Sequence, residues 1–150
     1  MRLDITWSVS LRSSPGSCSF IGAHLTPHAH KLKERLRDWD RIVSSLVFPP
    51  PPGSSGTQPT TLYSTSHLFV LGDLNFRVVL PADHPHAGVH ERGDFAALLE
   101  SQEQREEIKE HDQLLQERKK GTVFVGLREG EFWKFKCSYK YHIGEVDRYA

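Results

Sequence analysis

The segment "HLFVLGDLNFRV", His67 to Val78, ends an apolar run in Gly72-Asp73-Leu74-Asn75. On extended backbone, side chains two residues apart point the same way. Asp73 and Asn75 would then present a carboxylate and a carboxamide together, a pair able to orient a water, a phosphate or a metal ion. The same residues also suit an ordinary Asx turn after a strand, and their types alone leave both readings open. Gly72 removes a side chain where another group must come close. His24 closes a second apolar segment, "CSFIGAHL", much as Asp73 closes the first. Two strand ends on one edge of a sheet bring such side chains together, and ligand crevices favour those edges. The competing reading of His24 is a histidine at a strand-to-helix turn. Tyr139 and Lys140 in "CSYKYHIG" offer a phenol donor and an ammonium charge to a phosphate, or simply alternate along a strand. His24, His28 and His30, and likewise His84, His86 and His90, have spacings compatible with zinc. No acidic or cysteine ligand accompanies either trio at a recognisable spacing.

The elements that must position these groups follow from periodicity. Leu68 to Leu71 form a short continuous apolar run, which predicts a strand buried on both faces. Ile5, Trp7, Val9 and Leu11 alternate with polar residues, which predicts a strand with one buried face. The turn "RSSPGS" would join it to "CSFIGAHL" as a hairpin. Thr26-Pro27 resembles an N-cap with proline at the first helical position. Leu32, Leu36, Trp39, Val43 and Leu46 then mark one stripe of an amphipathic helix. Lys31, Lys33, Glu34, Arg35 and Arg37 read as its solvated face. Phe48 to Thr61, "FPPPPGSSGTQPTT", breaks all periodicity and reads as a flexible insert. Its Pro49 to Pro52 run could meet an SH3-type aromatic groove, although no basic residue flanks it. After a loop from Pro81, the segment Asp94 to Lys120 predicts two helices with an exposed joint, stopped by Gly121. "TVFVGL" and "EFWKFKCSYKY" predict closing strands. The order implies a mixed α/β fold.

One hundred and fifty residues bound the chain to one domain. Nineteen basic and nineteen acidic side chains cancel, which opposes broad attraction to nucleic acid. Two distant cysteines, Cys18 and Cys137, give no disulfide framework and suit a reducing compartment. No apolar run approaches the roughly 20 residues that span a bilayer, and "MRLDITWSVS" lacks a signal-peptide core. A cytoplasmic protein is expected.

Taken in order, "GAHLTPHAHKLKERLRDWDRI", "FVLGDLNFRV", "EHDQLLQERKKGTVFVGLREGEF" and "CSYKYHIGEVDRY" resemble successive blocks of the inositol polyphosphate 5-phosphatase catalytic domain. The resemblance spans nearly the whole chain apart from the proline insert at 48–61. It implies a fragment of the DNase-I-like endonuclease/exonuclease/phosphatase fold, a four-layered α/β sandwich of two packed mixed β-sheets flanked by helices. It further implies Mg²⁺-dependent hydrolysis of a 5-phosphate monoester by an activated water. Asp73 would polarise that water, Asn75 help orient it, and His24 hydrogen-bond the scissile phosphate. Tyr139 and Lys140 would contact the neighbouring 4-phosphate. The substrate would be a phosphoinositide, at a peripheral membrane surface, or a soluble inositol polyphosphate. The family's metal-binding glutamate would lie upstream of residue 1, so the chain would carry roughly the middle half of a catalytic domain. Departures from the pattern are Val70 in place of a common tryptophan, Ala23 in place of asparagine or serine, and "CSYKYH" around the phosphate-contacting pair. Two alternatives stay open, a non-catalytic inositol-phosphate-binding module and a nuclease of the same fold. The balanced charge opposes the nuclease.

Overall fold

In the computed structural model the described residues are 4–13, 16–48, 60–87, 101–131 and 141–145. The expected hairpin is present. Strand β1, Asp4–Ser13, pairs antiparallel with β2, Gly16–His24, in a register from Asp4 opposite His24 to Ser13 opposite Gly16, with an irregularity between Ile5 and Trp7. Burial of the β1 side chains lies outside what is described. Strand β5, His67–Asp73, joins the other edge of β2 in parallel, so the sheet order is β1-β2-β5. Parallel strands cannot be joined by a tight turn and need a crossover. Here the crossover contains helix α1, Leu32–Ser45.

Side chains alternate across a sheet, and the two faces of this one differ. On one face Ile21 and Ala23 of β2, with Leu68 and Val70 of β5, pack against Trp39, Ile42, Leu62, Val123 and Phe124. Trp39 and Phe124 meet with ring centroids 4.1 Å apart. On the other face Phe20 stacks on Phe69 at 4.9 Å, yet Phe69 is 48% exposed and Leu71 44% exposed. The expectation of a β5 buried on both faces is therefore corrected. The apolar residues of the second face find no covering layer among the described residues.

Helix α1 starts later than Thr26-Pro27 suggested. Pro27 lies in a loop, a 3-10 turn follows at Ala29–Lys31, and the α-helix begins at Leu32. Thr26 bonds Asp38 instead of capping: its N–H and its hydroxyl both donate to Asp38 Oδ2, at 2.9 Å and 2.5 Å. Arg35, read from sequence as solvated, is fully buried, and Asp38 nearly so. The buried side of α1 is Arg35, Asp38, Trp39 and Ile42, turned by about one residue from the stripe the aliphatic spacing suggested.

The ends of the insert close on themselves. Val47–Phe48 (β3) pairs antiparallel with Thr60–Thr61 (β4), and residues 49–59, including Pro49 to Pro52, lie outside the described residues. Two helices do follow, α2 at Gln102–Lys109 and α3 at Gln113–Lys119. Ser101 and Asp112 are their N-caps, accepting from Gln104 N–H and Leu115 N–H. The joint is not left free: Val79 N–H donates to His111 O at 3.1 Å, and Val78 bridges Asp112. Gly121, with φ 72°, ends α3 as expected. "TVFVGL" forms turns rather than a strand. Thr122 donates from both N–H and hydroxyl to Glu117 O, folding the segment back on α3, and Phe124 takes φ 52°. Val123 and Phe124 are nonetheless buried, so the apolar pattern reflected core packing without pairing. Residues 88–100 and 132–140 lie outside the described set, and with them His90, Phe95, Tyr139 and Lys140. No helix among the described residues is long and apolar enough to cross a membrane.

Candidate active site

The parallel register puts His24 directly beside Asp73. Both lie on the open face, one step beyond Gly22/Leu71 and two beyond the Phe20/Phe69 stack. His24 Nε2 stands 3.8 Å from Asp73 Oδ2, with the side chains 55% and 66% exposed. That distance is too long for a hydrogen bond. The imidazole and carboxylate thus border a common, solvent-reached space.

Close strand contact makes this possible. Gly72 has φ 126°, and a Cβ there would lie 2.1 Å from Ala23 O. The group that approaches Gly72 is therefore the neighbouring main chain. Beyond the strand ends the ladder is continued by other means. Leu25 N–H donates to Asp73 O at 3.0 Å. Asn75 Nδ2 then donates to Leu25 O at 2.9 Å, so a side chain takes over from the backbone.

Strand β5 stops at Asp73, and Asn75 is left-handed at φ 56°, a region asparagine tolerates better than most residues. The picture of both side chains projecting from one extended strand is corrected. Asn75 N–H donates to Asp73 Oδ1 at 3.1 Å, an Asx turn. The turn fixes one carboxylate oxygen and leaves Oδ2 facing His24. The Asn75 carboxamide is buried, with Nδ2 on Leu25 O and Oδ1 accepting from Arg77 Nη2 at 2.6 Å. Arg77 lay inside the quoted segment without an assigned part, and only the turn brings it onto Asn75.

Sequence reasoning also missed the layer behind the site. Arg35 Nη1 donates to Thr26 O and His28 O, and its Nη2 to Ala29 O and Gln113 Oε1. Its guanidinium lies over the Phe76 ring at 5.4 Å. Burial, and then the charge of Arg77, push its pKa down from the ordinary arginine value.

His24, His28 and His30 do not gather into a metal site, and the second trio lies partly outside the described residues, with His90. His28 and His30 stack on each other at 5.8 Å. His84 accepts from His86 N–H at Nδ1 and faces Glu107 with Nε2, so both its nitrogens are engaged. Among the described residues no three His, Cys, Asp or Glu side chains gather at metal-holding distance. Magnesium is usually held by one or two carboxylates together with substrate phosphates. Asp73 offers one carboxylate, with Oδ1 held in the Asx turn and Oδ2 open, so the described residues supply part of such a shell.

The chain is similar to the type IV inositol polyphosphate 5-phosphatase 11 of Arabidopsis thaliana, 32% identical over 128 residues, covering 85% of this chain and 32% of that protein. It is similar also to the phosphatidylinositol 3,4,5-trisphosphate 5-phosphatase 1 of Rattus norvegicus, 32% identical over 143 residues, covering 95% of this chain and 11% of that protein. The chain thus spans about a third or less of these relatives. In fold it matches the inositol polyphosphate 5-phosphatase domain of SpSynaptojanin, solved with inositol (1,4)-bisphosphate and a calcium ion. That match has a TM-score of 0.66 at 22% identity and covers 95% of this chain and 36% of that one. The model of the endonuclease/exonuclease/phosphatase family 2 matches residues 5–150, and the chain belongs to that family.

Proposed function

We propose that this chain carries part of the active site of an inositol polyphosphate 5-phosphatase, a phosphoric monoester hydrolase. The observation that supports the reading best is the pair of adjacent parallel strand ends, with His24 Nε2 3.8 Å from Asp73 Oδ2 on an exposed edge. Asp73 Oδ2 takes a proton from the attacking water, while His24 Nε2 donates a hydrogen bond to a phosphoryl oxygen. The water oxygen bonds to phosphorus, the bond from phosphorus to the inositol oxygen breaks, and that oxygen takes up a proton from solvent. Asn75 acts through its bonds to Asp73, Leu25 and Arg77, holding the carboxylate in its turn. Tyr139 and Lys140 are assigned to the neighbouring 4-phosphate. Magnesium is the cofactor of this reading, supplying charge at the phosphoryl oxygens when bound; none of the proton or bond changes above depends on placing it. Substrates are soluble inositol polyphosphates or the same headgroup on a phosphoinositide, met by a cytoplasmic protein peripherally at a membrane. An SH3-type contact at Pro49 to Pro52 is a separate, minor part of the reading.

The test is release of inorganic phosphate from inositol 1,4,5-trisphosphate with Mg²⁺. Release abolished by Asp73→Asn supports the proposal. Binding without release supports a non-catalytic module instead, and nicking of plasmid DNA by the same preparation supports a nuclease.

A further inference from the structure

Gln113, at the start of α3, is bonded both to the loop that follows His24 and to the turn that follows Asp73. Its Oε1 accepts from Arg35 Nη2 at 2.6 Å and from Arg77 N–H at 3.1 Å. Its Nε2 donates to Ala29 O at 3.0 Å, and its own N–H donates to Arg77 O at 3.0 Å. Arg35 extends this hold over the loop through Thr26 O and His28 O, at 3.1 Å and 2.6 Å. Arg77 extends it in the other direction, from Nη2 to Asn75 Oδ1 at 2.6 Å. Asn75 N–H in turn reaches Asp73 Oδ1. A continuous polar chain therefore runs behind the site from one strand exit to the other.

Three members of this chain are deeply placed, Arg35 at 0% exposed, Gln113 at 7% and Asn75 at 7%, whereas Arg77 and Asp73 are exposed. Burying a guanidinium is expensive unless its donors are satisfied, and Arg35 Nε has no partner among the described residues. The acceptors bonded to Arg35 are three main-chain carbonyls and one amide oxygen. An aliphatic side chain would pack this core position at less cost. What the polar set adds is direction: each bond fixes a loop carbonyl or amide that no strand ladder holds. Networks of this kind rigidify where they are complete.

We propose that Gln113 is a positioning residue, which fixes the separation between the His24 loop and the Asp73–Asn75 turn through Arg35 and Arg77. The inference rests on the phosphatase reading for its effect on turnover, and on the hydrogen bonds alone for its effect on the turn. Gln113→Leu keeps the approximate volume and removes all three side-chain bonds. Gln113→Glu keeps acceptor oxygens for Arg35 and Arg77; it gives up the bond to Ala29 and sets an oxygen against that carbonyl, a repulsion offset by the added attraction to the Arg35 guanidinium.

The experiment compares wild type and both variants of the full chain. It measures kcat and KM for phosphate release from inositol 1,4,5-trisphosphate with Mg²⁺, together with amide hydrogen exchange. For Gln113→Leu we expect kcat to fall about 10- to 100-fold with KM within about twofold, because a misplaced group costs rate more than binding. Exchange at the Arg77 amide should rise about tenfold or more while α1 amides keep their protection. Gln113→Glu should recover kcat to within about threefold of wild type. A Gln113→Leu variant with wild-type kcat and wild-type Arg77 exchange overturns the inference, as does a loss that Gln113→Glu leaves unrecovered. Should Gln113→Leu fail to fold, Gln113→Glu decides: near-normal kcat with Arg77 protected supports the assignment, and lost turnover with Arg77 protected overturns it. A wild-type chain that releases no phosphate counts against the phosphatase reading, and Arg77 exchange in the variants then decides the role of Gln113.

Discussion

Asn75 and Leu25 are joined by a side-chain amide at the point where the main-chain ladder between β2 and β5 gives out, Nδ2 to O at 2.9 Å. The bond ties the residue after His24 to the turn that begins at Asp73. It depends on a left-handed backbone at Asn75, φ 56°. Asn75→Ala takes on backbone strain and loses both side-chain hydrogen bonds, to Leu25 O and from Arg77 Nη2. The left-handed conformation costs a residue with a Cβ about 1–2 kcal/mol, and the unpaired, buried Leu25 carbonyl costs about 1–3 kcal/mol. Asn75→Gly loses the same two bonds and escapes the strain. Chemical denaturation should rank wild type above Asn75→Gly and Asn75→Gly above Asn75→Ala. Equal stabilities for the two variants would show that the φ carries no strain.

Gly72 leads to a sharper outcome. A Cβ at this position would meet Ala23 O at 2.1 Å on backbone with φ 126°. Gly72→Ala must push β5 away from β2 and widen the gap between His24 and Asp73. A loss of more than about 2 kcal/mol is expected from the forced conformation and displaced main chain. A Gly72→Ala protein with unchanged denaturation midpoint would contradict the described strand contact.

Glu117 makes stability depend on pH. Burial alone would raise its pKa, but hydrogen bonds from Lys120 Nζ at 2.6 Å and Thr122 Oγ1 at 2.7 Å, with the lysine charge, hold it below the ordinary glutamate range. The folded state thus binds its proton less readily than the unfolded chain. The stabilisation is complete above the unfolded glutamate pKa and is lost as pH falls through the lower, folded value. Glu117→Gln should cost about 1–2 kcal/mol at neutral pH, and the gap from wild type should close on acidification. A gap that widens in acid would reverse the assignment.

The two faces of the sheet should respond differently to mutation. Ile21 is 0% exposed and Leu71 44% exposed. Ile21→Ala should cost about 2–5 kcal/mol, whereas Leu71→Ser should stay within about 0.5 kcal/mol. Leu71→Ser should also reduce binding of a hydrophobic dye, since the Phe20, Phe69 and Leu71 face is a contiguous apolar surface. A large stability loss in Leu71→Ser would mean that this face is covered.

Much of this arrangement was legible because strands announce themselves by their ends. "CSFIGAHL" and "HLFVLGDLN" each stop an apolar run at a polar residue, and parallel pairing then sets those residues side by side. Asn75 belonged to the same signal, although its left-handed backbone did not follow from residue type. Arg35 and Asp38 were hidden for a physical reason. Charged residues next to an aliphatic stripe normally face water, and nothing local marks the ones that reach back to loop carbonyls. Gln113 lay inside a recognisable "HDQLL" block, yet its bonds run to residues distant in sequence, Ala29, Arg35 and Arg77. "TVFVGL" misled because β-branched and aromatic residues also serve a buried turn, and propensity cannot separate the two.

The central claim is that His24 and Asp73 act together on one phosphoryl group. Its most direct test is the rate of phosphate release from inositol 1,4,5-trisphosphate by wild type, His24→Gln, Asp73→Asn and the double variant. Each single change should lower kcat by about 100-fold or more, and the double variant should lose far less than the product of the two, as expected of groups serving one step. Wild-type turnover by either single variant, or losses that multiply fully, would contradict it.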